Sequence, residues 1–240
     1  MKSMVSILAK PVISNPVLIE GLPGIGFVAN ISSLHLISEL SATKIAEIRS
    51  PAFQDLSVSA REGSFRAPIN ELYHAKCNGK DLLILYGNTQ ALNTHGQYEL
   101  CETILDLVAG YECRFIITIG GLRRAVTPGV MEVYCTATNQ NVLQSILRYG
   151  VKVADGRVIG VAGLLLGLAK LRGMEGLCIL VETPGLYPDP VAAEKALSVL
   201  ARFLNVKLDL TRLQEAARKV EKELQQVKPP VPSRGYPGLV

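Results

Sequence analysis

Four short, almost wholly apolar runs, at 17–20, 81–86, 114–119 and 177–181, set the terms for any fold this chain can adopt. A strand that is apolar at nearly every position is buried on both faces, which places it inside a parallel sheet covered by helices. Helical spacing of apolar residues recurs between and after these runs, at 97–109, 139–147, 161–171 and 190–205. Strand-then-helix alternation of this kind is the signature of a three-layer α/β domain. The stretch 44–77 departs from it. There Ile45, Ile48, Leu56, Val58, Phe65, Leu72 and Tyr73 stand among polar turns, and Asn78-Gly79 follows, a pattern of short antiparallel strands. The expected sheet is therefore mixed, mostly parallel and flanked by helices.

With 240 residues, 48% of them hydrophobic and 19% charged, the chain can bury a large core. Its formal charge of +4 is small and dispersed, there is no Trp, and only 5% of residues are aromatic, so neither an electrostatic nor a stacking footprint for nucleic acid is visible. The five cysteines, Cys77, Cys101, Cys113, Cys135 and Cys178, form no Cys-x-x-Cys pair and sit in apolar surroundings, as reduced buried thiols do. The most apolar window, 158–171, carries three glycines and falls short of the roughly 20 residues that span a bilayer. It reads as a core helix in which Gly163 and Gly167 permit close helix packing. Lys10, Pro11, Ser14, Asn15 and Pro16 interrupt the N-terminus before any long apolar segment, which points to a cytoplasmic location.

The first apolar run leads into Glu20-Gly21-Leu22-Pro23-Gly24-Ile25-Gly26 and then a helical segment from Phe27 to Leu40. Strand, glycine loop and helix together present backbone N–H groups at a helix N-terminus, where an anion can be held. The stretch Gly24-Ile25-Gly26-Phe27-Val28-Ala29 fits the dinucleotide fingerprint Gly-x-Gly-x-x-Ala, and Glu47 stands near the position of a ribose-binding acid. The competing reading is a tight turn that needs small residues. Polar residues also follow the other strands: Gly87-Asn88-Thr89-Gln90 and His95, Gly120-Gly121-Leu122-Arg123-Arg124, and Glu182-Thr183. Gly24, Gly26, Arg123 and Arg124 compose an anion site on the enzymatic reading, with His95 or Glu182 as acid or base, and define a nucleotide-binding or nucleoside-processing enzyme. On the structural reading the glycines shape turns, Asn88 and Thr89 cap a helix, and the arginines lie on the surface. His35, His74 and His95 lie in separate segments without metal-ligand spacing, and no Gly-x-Ser-x-Gly elbow occurs, so no metal, cofactor or catalytic residue is assigned.

Composition shifts after residue 208, the end of the α/β domain. Over 209–227 Asp209 is placed to cap a helix whose apolar residues Leu210, Leu213, Ala217, Val220, Leu224 and Val227 recur three and four apart, opposite a charged face. Such a seam docks either on its own domain or on another copy of the chain. Residues 228–240 hold Pro229, Pro230, Pro232, Gly235, Pro237 and Gly238, which prevent regular structure and make an extended, mobile arm able to touch another protein.

The order of the glycine loop, Gly87-Asn88-Thr89-Gln90, Thr118-Ile119-Gly120-Gly121 and Glu182-Thr183 followed by Asp189-Pro190-Val191-Ala192-Ala193 resembles the archaeal proteasome assembly chaperone family. The resemblance implies a fold similar to purine nucleoside phosphorylases without their chemistry, and a non-enzymatic binding protein for the α-subunit ring of the 20S core particle; the apolar seam adds the expectation of a homo-oligomer. The apolar spacing of the seam assigns Leu210, Leu213, Ala217, Val220 and Leu224 to contact between copies, and the proline-stiffened arm with its apolar end assigns Tyr236, Leu239 and Val240 to contact with the ring. Two departures stand out. Asn88 occupies a position where family members commonly carry an acid, and the chain ends Gly238-Leu239-Val240 where docking members carry a penultimate Tyr, with Tyr236 displaced inward.

Overall fold

The computed structural model describes residues 2–55, 57–59, 63–124 and 131–226, with side chains described throughout except at Val58 and 220–226. Nine strands form one mixed sheet. Along the chain they are β1 (Met4–Ile7), β2 (Val17–Gly21), β3 (Thr43–Arg49), β6 (Asn70–Cys77), β7 (Lys80–Gly87), β8 (Phe115–Arg123), β9 (Val133–Ala137), β10 (Lys152–Val153) and β11 (Glu175–Thr183), while β4 (Val58–Ser59) and β5 (Phe65–Arg66) make a separate small hairpin. Across the sheet the order is β1-β3-β6-β7-β2-β8-β11-β9-β10. The four apolar runs of the sequence are the four central strands β7, β2, β8 and β11, paired in parallel. Antiparallel strands extend both sides: β1, β3 and β6 on one, β9 on the other.

Helices cover the two faces. Alternation along β2 shows why continuous apolarity was required: Leu18 points into the core under α2 (Thr94–Ala109) and α4 (Val161–Leu171), and Ile19 points into the core under α1 (Val28–Glu39), α3 (Gln140–Leu147) and α5 (Pro190–Leu204). Both residues are fully buried. The sixth helix, α6 (Thr211–Gln226), lies on α5.

Local chemistry sets the boundaries of these elements. The carboxamide of Asn93 accepts from Gly96 N at 2.8 Å, that of Asn139 from Val142 N at 2.9 Å, and the Asp189 carboxylate from Ala192 N at 2.9 Å with Pro190 opening the helix. Each cap satisfies an otherwise orphaned helix N–H, typically for about 1 kcal/mol. Asn88 and Thr89 were expected in that role and do not fill it. Asn88 accepts from Ile69 N at 2.9 Å and donates to Ala67 O at 2.8 Å, tying the end of β7 to the approach to β6. The β6–β7 hairpin turns at Asn78-Gly79, both at positive φ (49° and 75°), which a two-residue type I′ turn demands.

All five cysteines are buried and free. Gly163 and Gly167 serve other ends than the expected helix contact. A Cβ at Gly163 would lie 2.1 Å from the carbonyl oxygen of Val158, so it is the preceding loop that needs the space, and a Cβ at Gly167 would meet nothing within 4 Å.

Candidate functional site

The carboxyl ends of parallel strands are where an α/β sheet opens toward a ligand, and here β2 and β8 end side by side at the glycine loop. The loop is clamped from below. Gly26 stands at φ +63°, and a Cβ there would lie 2.8 Å from the Thr183 hydroxyl. That hydroxyl donates to the Asp189 carboxylate at 2.6 Å, and Asp189 N donates to Gly26 O at 2.9 Å. Gly21 is needed for proximity, since a Cβ would fall 2.2 Å from Ser33 of α1. Gly21 and Gly26 therefore let helix, loop and β11 pack closely, as the turn reading of the fingerprint has it, whereas a Cβ at Gly24 would meet nothing within 4 Å.

Arg123 and Arg124, expected together, point apart. Arg124 lies over the Tyr134 ring at 5.1 Å and reaches Glu182 Oε1 at 3.6 Å. Glu182 is occupied with β9, accepting from Glu132 N at 3.2 Å and Tyr134 OH at 3.1 Å. Arg123 instead donates to Gly185 O at 3.2 Å and borders a chamber of about 260 Å³. Gly24 and Ile25 share that chamber's wall, whereas His95 is exposed on α2 and does not line it. The expected group of Gly24, Gly26, Arg123 and Arg124 with an acid or base is thus not assembled around one point. Among the described residues no cluster of His, Cys, Asp and Glu is arranged to hold a metal.

One chamber residue escaped the sequence reading. Glu20, at the end of β2, is 1% exposed. Its Oε1 accepts from Leu22 N at 2.8 Å, while Oε2 has no hydrogen-bond partner among the described residues. Burial pushes this carboxyl up to about 8, against the opposing pull of the hydrogen bond from Leu22 N, so it is mainly protonated at neutral pH. The signal was in the sequence: an acid ending an apolar run that burial demands on both faces.

Other expected contact residues divide in two. Leu213 (4% exposed) and Ala217 (9%) are buried within their own chain, and Leu210 is partly buried against the same core. The backbone of α6 continues through Val220 and Leu224, whose side chains lie outside the described residues, as do Val227 and the tail residues Tyr236, Leu239 and Val240. A broad groove lies between α2 and α4, bordered by Leu92 (62% exposed), Tyr98 (48%), Ile159 (85%) and Leu171 (83%). No residue lining it is charged. Among the described residues no helix is long and apolar enough to cross a membrane.

What the fold and site define is an α/β protein in which Gly21 and Gly26 of the glycine loop are packing positions and an uncharged groove lies between α2 and α4. The chain belongs to the PAC2 family, which it matches over residues 18–228. It is 34% identical to Pyrococcus furiosus PbaB, described as an archaeal proteasome activator; the structures agree with a TM-score of 0.88 over 94% of this chain and 98% of that one. Pyrococcus furiosus PbaA, an archaeal homolog of proteasome-assembly chaperone, is 25% identical with a TM-score of 0.75, covering 92% of this chain and 95% of the other. The uncharacterized protein MJ1210 of Methanocaldococcus jannaschii is 30% identical over 95% of this chain and 91% of its own length. The resemblance read from the motifs is confirmed at the level of the family.

Proposed function

We propose that this protein is a non-enzymatic, cytoplasmic adaptor or assembly chaperone of the proteasome, binding the α-subunit ring of the 20S core particle as a homo-oligomer. The observation that carries this reading is the end-to-end likeness to PbaB, in sequence and in backbone. The uncharged groove between α2 and α4, rimmed by the exposed Leu92, Ile159 and Leu171, is the contact face this reading uses. In this reading the groove, together with the far end of the α6 seam at Val220 and Leu224, joins copies of the chain. The arm at 228–240, with Tyr236, Leu239 and Val240, reaches the ring.

Co-sedimentation of the full chain with purified 20S core particles, and separately with free α subunits, tests the proposal. Comigration with the particle or with α-subunit assemblies is the expected result. A protein that stays behind in both arms would sink it.

A further inference from the structure

The chamber at the ends of β2 and β8 has a composition that protein–protein contact does not require. Its walls are apolar, formed largely by Leu22, Ile25, Ile119, Leu122, Val158 and Leu180. Glu20 lies at the wall and Arg123 and Arg157 border the same space. Both arginines are exposed and neither forms an ion pair among the described residues. Glu20 is the opposite case, 99% buried with one oxygen unpartnered. Leaving a buried polar atom without a partner is costly, and such an atom marks strain, an ordered water or a ligand that comes from outside.

We propose that this chamber binds a small organic anion with an apolar body: a carboxylate that pairs with Arg123 and Arg157 and carries, farther along, an oxygen that accepts a hydrogen bond from the Glu20 carboxyl. Three features select this class. At about 260 Å³ the chamber lies just below the usual range of about 300–1,000 Å³ for sites of drug-sized ligands, so it suits a compact metabolite. Two guanidinium groups without an ion-pair partner among the described residues, one of them also donating to Gly185 O, favour a carboxylate, which they can meet with charge-assisted hydrogen bonds. Between them and Glu20 the wall is formed mainly by apolar side chains with the backbone of Gly24, Gly120 and Gly121 and the Gln90 side chain, whose amide is already engaged with Pro23 O, Gln97 and Val161 N.

Neutral Glu20 is the donor in this scheme. The titratable groups facing it from neighbouring elements are the thiols of Cys101 on α2 and Cys178 on β11, both shifted upward mainly by burial. They remain uncharged near neutral pH. A protonated carboxyl in an apolar site rejects a ligand that offers no acceptor, because the O–H would be left unpaired, and this supplies selectivity that a purely greasy chamber lacks. The proposal is independent of the proteasome reading.

The test uses 4-oxopentanoate as probe on the full chain, followed by titration calorimetry and saturation-transfer NMR. Hexanoate lacks the inner oxygen and 2-pentanone lacks the carboxylate. A compound this small is expected to bind with a dissociation constant of about 1 mM. Hexanoate and 2-pentanone should each bind roughly tenfold more weakly, matching the loss of one satisfied polar contact. In Glu20→Leu the preference for 4-oxopentanoate over hexanoate should vanish, while Glu20→Gln, which keeps a donor, should retain it. Arg157→Gln should weaken both carboxylates by a similar factor and leave 2-pentanone unchanged. Circular dichroism of each variant confirms its fold. No saturable binding of either carboxylate by the wild-type chain, or an unchanged preference in folded Glu20→Leu, would overturn the proposal.

Discussion

The hydroxyl of Thr183 donates to the carboxylate of Asp189 at 2.6 Å directly against Gly26, so the end of β11, the start of α5 and the glycine loop meet at one buried point. Gly26→Ala must both hold a left-handed backbone and press a methyl group on Thr183. We expect it to cost about 2–4 kcal/mol. Thr183→Ala removes the atoms that the new methyl would strike, so the double variant should lose less than the two single losses added together. Urea unfolding of the four proteins measures this coupling. Strict additivity would mean that the contact does not restrain Gly26.

Glu20 makes stability depend on pH in a defined window. Its folded-state carboxyl titrates near 8 against an ordinary value of 4.5, so between those values the native chain holds a proton that the unfolded chain has released. Stability from this group is complete below about pH 4.5, declines as pH rises through the window, and is lost above about pH 8. Glu20→Gln abolishes that titration. The difference in unfolding free energy between wild type and Glu20→Gln should therefore shift by a few kcal/mol from about pH 5 to about pH 8, to the disadvantage of wild type. A difference independent of pH would place the carboxyl in a more polar setting.

Ile159 and Leu171 are the most exposed apolar residues on the rim of the α2–α4 groove, at 85% and 83%. Replacing both with Asp leaves the core untouched and puts charge on the proposed contact between copies. Analytical ultracentrifugation should show a smaller assembly for Ile159→Asp/Leu171→Asp with an unchanged melting curve. By contrast, Leu213→Glu drives a charge into a buried position against the chain's own core and should free α6, seen as rapid amide exchange over 211–226. If Leu213→Glu alone lowers the assembly state while α6 stays protected, the seam at Leu213 serves another copy.

The arm makes a separate prediction. If 228–240 reaches the ring as proposed, deleting 238–240 should weaken core-particle binding at least tenfold, and Tyr236→Ala should weaken it less. Surface plasmon resonance on immobilised core particles compares them. Equal binding by the full and shortened chains would transfer docking to the globular surface.

What could be read in advance followed from burial. The four central strands were legible because burial on both faces leaves an apolar run that survives without any alignment, and α4 was legible to the residue, Val161–Leu171. β1 was not, since all four of its residues are exposed and no face pattern exists. β9 was not either: it is only five residues long, and just two of them, Val133 and Cys135, are buried, too few to set a pattern. At the site the glycines were found and their purpose left open, because Gly26 beside Thr183 and Gly21 beside Ser33 are contacts across 157 and 12 residues of chain that no local pattern encodes. The separation of Arg123 from Arg124 follows from strand alternation at the end of β8, and only knowledge of where β8 ends could have revealed it.

The position of β2 has a consequence for how the molecule comes into being. It is the second strand in the chain and the fifth across the sheet, seated between β7 and β8, and its partners arrive only once residues 80 to 123 exist. Closing such distant pairs demands chain entropy before any reward, whereas the β6–β7 hairpin closes over two turn residues. We expect the hairpin to acquire exchange protection first and β2 to wait as an exposed apolar segment until β8 is available. Pulse-labelled refolding that protects Leu18 before Leu83 would reverse this order. A protein proposed to assist the assembly of others would then pass, in its own folding, through a stage with an unpaired apolar strand.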